Sequence, residues 1–109
     1  MTDCVIQTVP IAGEFTATGL RNGGLLTKVT LNAVTWTALP PTPLAGRNAL
    51  SIQNTSATQI VLDYVNTNPL YEGVIVNSSA ERFYSITDQI VIYAKAQAGA
   101  PIIMIEEIA

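Results

Sequence analysis

Val34–Asn54 reads VTWTALPPTPLAGRNALSIQN and carries the only tryptophan of the chain together with three of its six prolines. Thr35, Trp36 and Thr37 suit an extended segment, because β-branched and aromatic side chains pack well on a pleated surface. Pro40, Pro41 and Pro43 end that segment, since proline cannot donate to a strand ladder and biases the residue before it away from helix. Ala45-Gly46-Arg47 then turns the chain into Ala49–Gln53, where Leu50 and Ile52 alternate with Ser51 and Gln53 at the period of a strand with two different faces. Strand, proline turn, strand is the pattern of an all-β domain.

The same reading extends in both directions. Before the turn, Val29 and Leu31 alternate with Lys28, Thr30 and Asn32, so a strand begins at Thr27. After it, Asn54–Thr58 is a polar turn and Ile60–Val65 a strand with Ile60, Leu62 and Tyr64 on one face. Further strands are read at Gly73–Val76, Arg82–Ile86, Gln89–Lys95 and Pro101–Ile108, separated by Asn66–Pro69, Asn77–Ala80 and Ala96–Ala100. Seven or eight strands at spacings of about 8–12 residues predict an antiparallel β-sandwich or β-barrel, jelly-roll-like in architecture. No stretch has a capped helical period, and at most one helical turn is expected, near Ala57 or Ala96–Ala98.

Residues 1–26 read differently. Pro10, Gly13, Gly19, Gly23 and Gly24 recur too often for a long strand, so this segment is expected to be an N-terminal arm preceding a domain at 27–109. Val5, Ile6, Val9, Ile11 and Phe15 give the arm an apolar side, and grouped apolar residues favour a position against a neighbouring subunit or a larger surface over solvent.

Composition sets the bounds on function. Hydrophobic residues make up 49% of the 109-residue chain but aromatics only 6%, so the core must come from aliphatic side chains. Charged residues make up 12%, about half the usual share in globular domains, which suits a surface partly covered by other subunits. A net charge of −3 and five scattered cations, Arg21, Lys28, Arg47, Arg82 and Lys95, argue against nucleic acid as a partner. No apolar run approaches the roughly 18 residues of a membrane helix, and no basic-then-apolar leader is seen. The expectation is a soluble protein made in a cytoplasm.

The chain contains no histidine and one cysteine, Cys4. That removes Ser-His-Asp triads, histidine bases, histidine metal sites and an intrachain disulfide together. The eight carboxylates, Asp3, Glu14, Asp63, Glu72, Glu81, Asp88, Glu106 and Glu107, are accounted for by turns and strand ends, and no calcium loop or phosphate loop is present. The reading is of a non-enzymatic protein without cofactor or metal. Trp36 has two readings, a core residue that fixes the sheet separation or an anchor in a subunit interface. Arg47 likewise is either a turn residue bonded to nearby carbonyls or a contact to another subunit.

Trp36, Leu39, Pro40, Pro43, Leu44, Gly46, Arg47, Leu50, Ile52 and Asn54, with Glu106 and Ala109 in the closing IIMIEEIA, resemble a pattern in small virion structural proteins of tailed bacteriophages. There a tryptophan strand, a proline-rich turn ending in Gly-Arg and an apolar strand ending in Asn precede a final apolar strand with a glutamate. The resemblance covers residues 34–109 and implies a capsid decoration (cement) protein on the virion surface, bound to the lattice of the major capsid protein as a homo-oligomer, a trimer by the family's habit. A receptor- or carbohydrate-binding module of a phage tail or fibre is the alternative. It would use Tyr64, Tyr71, Tyr84 or Tyr93 as stacking platforms.

Overall fold

The computed structural model describes residues 23–109, and the arm residues Val5, Ile6, Val9, Ile11 and Phe15 lie outside them. Eight strands form: β1 (Gly24–Thr30), β2 (Thr37–Leu39), β3 (Ala49–Gln53), β4 (Ile60–Asp63), β5 (Val74–Val76), β6 (Glu81–Tyr84), β7 (Ile92–Ala96) and β8 (Ile102–Ile108). No helix occurs among the described residues, and Ala57 and Ala96–Ala98 belong to turns or strand ends. Short polar turns with Gly, Asn and Ser leave no run long enough for helix nucleation.

The strands make two antiparallel sheets of four, with order β1-β8-β3-β6 in sheet A and β2-β7-β4-β5 in sheet B. The pairs β1:β8, β2:β7, β3:β6 and β4:β5 are nested one inside the next. The chain is thus one long folded ribbon rolled up so that β8 also joins β3 and β7 also joins β4, which is the jelly roll. β1 begins at Gly24, three residues before Thr27, because Gly24, Leu25 and Leu26 pair with Ile108, Glu107 and Glu106. The glycines interrupt the sequence pattern there without interrupting the ladder.

Between the sheets lie Val29, Leu31, Leu39, Leu50, Ile52, Ile60, Leu62, Val76, Ile92, Ala94, Ala96, Ile103 and Ile105. No aromatic side chain is among them. Tyr84 only packs against the margin. Register brings the inward residues into rows: Val29 faces Ile103, while Thr27, Ile105 and Ile52 stand in one line across β1, β8 and β3. The small Ala94 and Ala96 of β7 sit beside the large Leu62 and Ile60 of β4, so large and small side chains alternate across sheet B.

Candidate functional site

The proline turn is clamped to the body by its arginine. Arg47 and Glu107 are both fully buried and form an ion pair at 2.8 Å from Nη1 to Oε2. The remaining donors of the guanidinium reach backbone carbonyls, Nε to Thr87 at 3.1 Å and Nη2 to Ile90 at 2.5 Å. The same Glu107 oxygen accepts from the Leu44 amide at 2.8 Å, and the Asn48 amide donates to Ile108 O at 2.7 Å. One side chain therefore joins the 40–48 turn, the β6–β7 loop and β8. Gly46, at φ 73°, takes a conformation that most side chains resist and aims its amide at Asp88 Oδ2, 3.0 Å away.

That amide bond, followed by a contact from the Gln89 side chain and the more distant Arg47 charge, holds the Asp88 carboxyl below its ordinary pKa. A depressed carboxyl contributes stability at neutral pH that is lost as pH falls through its folded-state value. Asp88→Asn should accordingly flatten the acid limb of the stability-against-pH curve below about pH 4, while unfolding midpoints near pH 7 drop to a small extent; an unchanged acid limb would show that Asp88 titrates alike in both states.

Asn54, the last residue of the resembling motif, is buried and bonded through every polar group. Its side-chain nitrogen donates to Thr58 O and Val76 O at 2.8 and 3.0 Å, and its Oδ1 accepts from the Ser56 amide and hydroxyl. Its backbone pairs with Ala80 and Ser79. It ties the β3–β4 turn to the β5–β6 turn at one end of the sandwich.

The outer faces of the two sheets differ. Over sheet B the β4–β5 connection, residues 64–73, folds back across the strands. Leu70 O accepts from Lys95 Nζ at 3.3 Å, Asn68 O from Trp36 Nε1 at 2.6 Å, and Tyr71 donates to Gln59 at 3.1 Å. Beneath it the Lys95 ammonium lies 4.9 Å from the centre of the Trp36 ring. Val61 and Lys95, although they point away from the core, are buried by this loop. Trp36 is half-buried in the same arrangement and does not sit between the sheets. Partial burial also pushes the Tyr71 hydroxyl up from its usual pKa.

Sheet A has no such cover among the described residues. Its outer face carries Leu26, Lys28 and Thr30 of β1, Ile102, Met104, Glu106 and Ile108 of β8, and Glu81 and Phe83 of β6. Leu26 is 64% exposed, Phe83 60% and Ile102 53%. Ser51 lies in the middle of this face, donating its hydroxyl to Glu81 at 2.6 Å.

Two open clefts lie on the surface of the described residues. One of about 220 Å³ lies where β4 and β6 end and is lined by Leu62, Asp63, Tyr64, Gly73, Val74, Tyr84 and Ile92. The other, about 390 Å³, sits at the opposite end of β6 between Gln53–Thr55 and Ser79–Glu81. The structure thus brings Tyr64 and Tyr84 to one cleft, with the Arg82 guanidinium 5.2 Å from the Tyr84 ring, and leaves Tyr71 and Tyr93 elsewhere. Among the described residues no three acidic or cysteine side chains converge as a metal ion would require.

Glu107 is the residue that sequence reasoning missed. Its signal is parity: in β8 the inward positions are Ile103 and Ile105, so the next is 107, and a glutamate there must find a buried cation. Lys95 carries no such signal, because the loop that covers it comes from a distant part of the chain. Comparison with protein families, curated proteins and solved structures returns no match to this chain.

Proposed function

We propose that this chain is a non-enzymatic structural subunit of a larger protein assembly, and that the assembly is the head shell of a tailed bacteriophage, which the chain decorates and stabilises as an oligomer. The outer face of sheet A, uncovered among the described residues, carries the reading, because Leu26, Phe83 and Ile102 place exposed apolar area there, opposite a face that the chain covers for itself. Such a face gains by burial against a partner. The jelly roll is an architecture used by viral capsid domains and by lectins, so it accommodates this role without selecting it. The virion assignment rests on the resemblance of residues 34–109. A subunit that binds only the assembled shell stabilises it by mass action.

The copy number of the polypeptide in purified particles, by quantitative mass spectrometry against the major shell protein, tests this reading. Hundreds of copies are expected; a dozen or fewer would place the chain on a tail and replace decoration by the carbohydrate-binding reading. One observation favours that second reading, the cleft in which Tyr64 and Tyr84 stand with Asp63, since aromatic faces pack on sugar rings and a carboxylate accepts from sugar hydroxyls. Binding of the isolated protein on a glycan array, abolished by Tyr64→Ala, would support it.

A further inference from the structure

Four strands bound the two sheets, and they differ in length. β2 and β5 have three residues each and β6 four, whereas β1 has seven. A free edge offers only the backbone groups that point away from its neighbour, so a long edge is the one able to pair with another strand.

The direction of these groups in β1 follows from the bonds at its two ends. The Ala109 amide donates to Gly23 O at 2.8 Å, and the Leu31 amide donates to Pro101 O at 2.9 Å. Bonded and non-bonded pairs alternate in an antiparallel ladder. With Gly24 opposite Ile108 and Thr30 opposite Ile102, the odd-numbered residues of β1 bond to β8. Gly24, Leu26, Lys28 and Thr30 therefore direct their N–H and C=O groups outward. All four are exposed, none is proline, and no other described strand pairs with that side.

We propose that β1 is where two copies of this chain join, pairing antiparallel about a two-fold axis through Thr27 and fusing two A sheets into one continuous sheet. The register follows from the strand itself. Centred on Thr27, Gly24 meets Thr30 and Leu26 meets Lys28 of the second copy, and all outward groups of both strands are used in about eight ladder bonds, two per bonded pair. Centring on Leu26 or Lys28 carries Thr30 or Gly24 past the end of the partner strand.

The side chains agree with this register. Leu26 stands opposite Glu106 within its own sheet. Lys28 of the second copy falls on the other side of Leu26, two strand spacings or about 9.5 Å from Glu106. Its aliphatic stem covers Leu26 and its ammonium reaches the carboxylate. Each Glu106 then lies between its own Lys28, diagonal to it on β1, and that of the second copy. The axis repeats the arrangement. On the inner side Thr27 meets Thr27, and Leu25, 45% exposed in the single chain, meets Val29.

This pairing gives the proposed oligomer a two-fold axis in place of the three-fold one that the resemblance implies. It is tested on the purified full-length chain in solution, so it stands or falls separately from attachment to a particle. Sedimentation equilibrium over roughly 1–500 µM should give twice the monomer mass, a range that spans weak to firm association. Leu26→Pro removes an outward amide that no described residue uses, and should leave the far-UV circular dichroism unchanged while raising the dimer dissociation constant at least about tenfold. Should that variant misfold, charge reversal decides. Lys28→Glu and Glu106→Lys should each weaken the dimer several-fold at low salt, and the double variant should restore it. A protein monomeric throughout, a trimer, a dimer untouched by a folded Leu26→Pro, or a double variant no tighter than the single ones would overturn the proposal. The first of these is the result expected if the chain's own residues 1–22 occupy the edge.

Discussion

Arg47→Ala is expected to cost about 3–5 kcal/mol of folding stability, measured by guanidinium unfolding at neutral pH, because it leaves Glu107 charged and buried without a counter-ion. The loss does not stop at the ion pair. Thr87 O and Ile90 O lose their donors from the same guanidinium, and the 40–48 turn loses its tie to the β6–β7 loop. The Leu44 amide remains on the Glu107 carboxylate, but one neutral donor does not replace a cation. Against a total stability of about 5–15 kcal/mol for a domain, this variant stands near the limit of folding. Arg47→Lys should recover only part of the loss, since a single ammonium cannot reach three acceptors in the plane of a guanidinium. The double variant Arg47→Met/Glu107→Leu separates the causes. It should be far less damaged than Arg47→Ala, because no buried charge is left alone. A loss under about 1 kcal/mol for Arg47→Ala would mean that water reaches Glu107 as readily in the folded chain as in the unfolded one. Glu107 Oε1, buried and without a partner within the described residues, makes the site sensitive to any change in that direction.

The second large effect is expected at a residue with no side chain. A Cβ on Gly73 would lie 2.1 Å from Leu62 O and 3.0 Å from a methyl of Val61, and the backbone there has φ 146°, which L-residues rarely adopt. The oxygen cannot yield, because it belongs to β4 at the point where Leu62 pairs with Val74. Gly73→Ala must therefore displace the 64–73 loop. Strain of this kind costs about 1–3 kcal/mol before any contact is lost. Displacement would also open the cover over Val61, Lys95 and Trp36, bringing the total to about 3 kcal/mol or more. Because Trp36 is the only tryptophan, its fluorescence reports on the loop directly. The emission of folded Gly73→Ala should shift to the red as the Asn68 O partner moves away and water enters. Retained emission and stability together would show that the loop does not rest on the sheet through Gly73.

The body of the fold was legible because its strands announce themselves. Ala49–Gln53 alternates without interruption and is found at the limits that its sequence suggests. The inward rows of β4 and β7 follow equally from Ile60 with Leu62 and Ile92 with Ala94. Lengths were less legible. Tyr64 and Val65 continue the alternation of β4, but the strand ends at Asp63, whose Oδ1 accepts the Tyr64 amide at 2.6 Å and turns the chain out of the ladder. Nothing local marks that switch. The tryptophan was ambiguous for a related reason: its burial comes from Asn68 and Lys95, which lie 32 residues further on and on a different strand. Pattern reading locates faces, and it does not show which loop will lie on them.

The nesting of the pairs has a consequence in time. β1 and β8 are the first and last strands of the described body, and β8 is interior to sheet A, bonded to β1 on one side and to β3 on the other. Until residues 102–108 are in place, β1 has no partner in its sheet and β3 has only the short β6. The contact between Gly24 and Ile108 spans nearly the whole of this body, so loop-closure entropy must be met before the contact rewards it. A chain of this kind belongs with slow folders, on the order of milliseconds to seconds. During synthesis the emerging strands of sheet A wait for the last of their number, and they wait with Val29, Leu50 and Ile52, all buried in the finished fold, short of the strand that pairs with them.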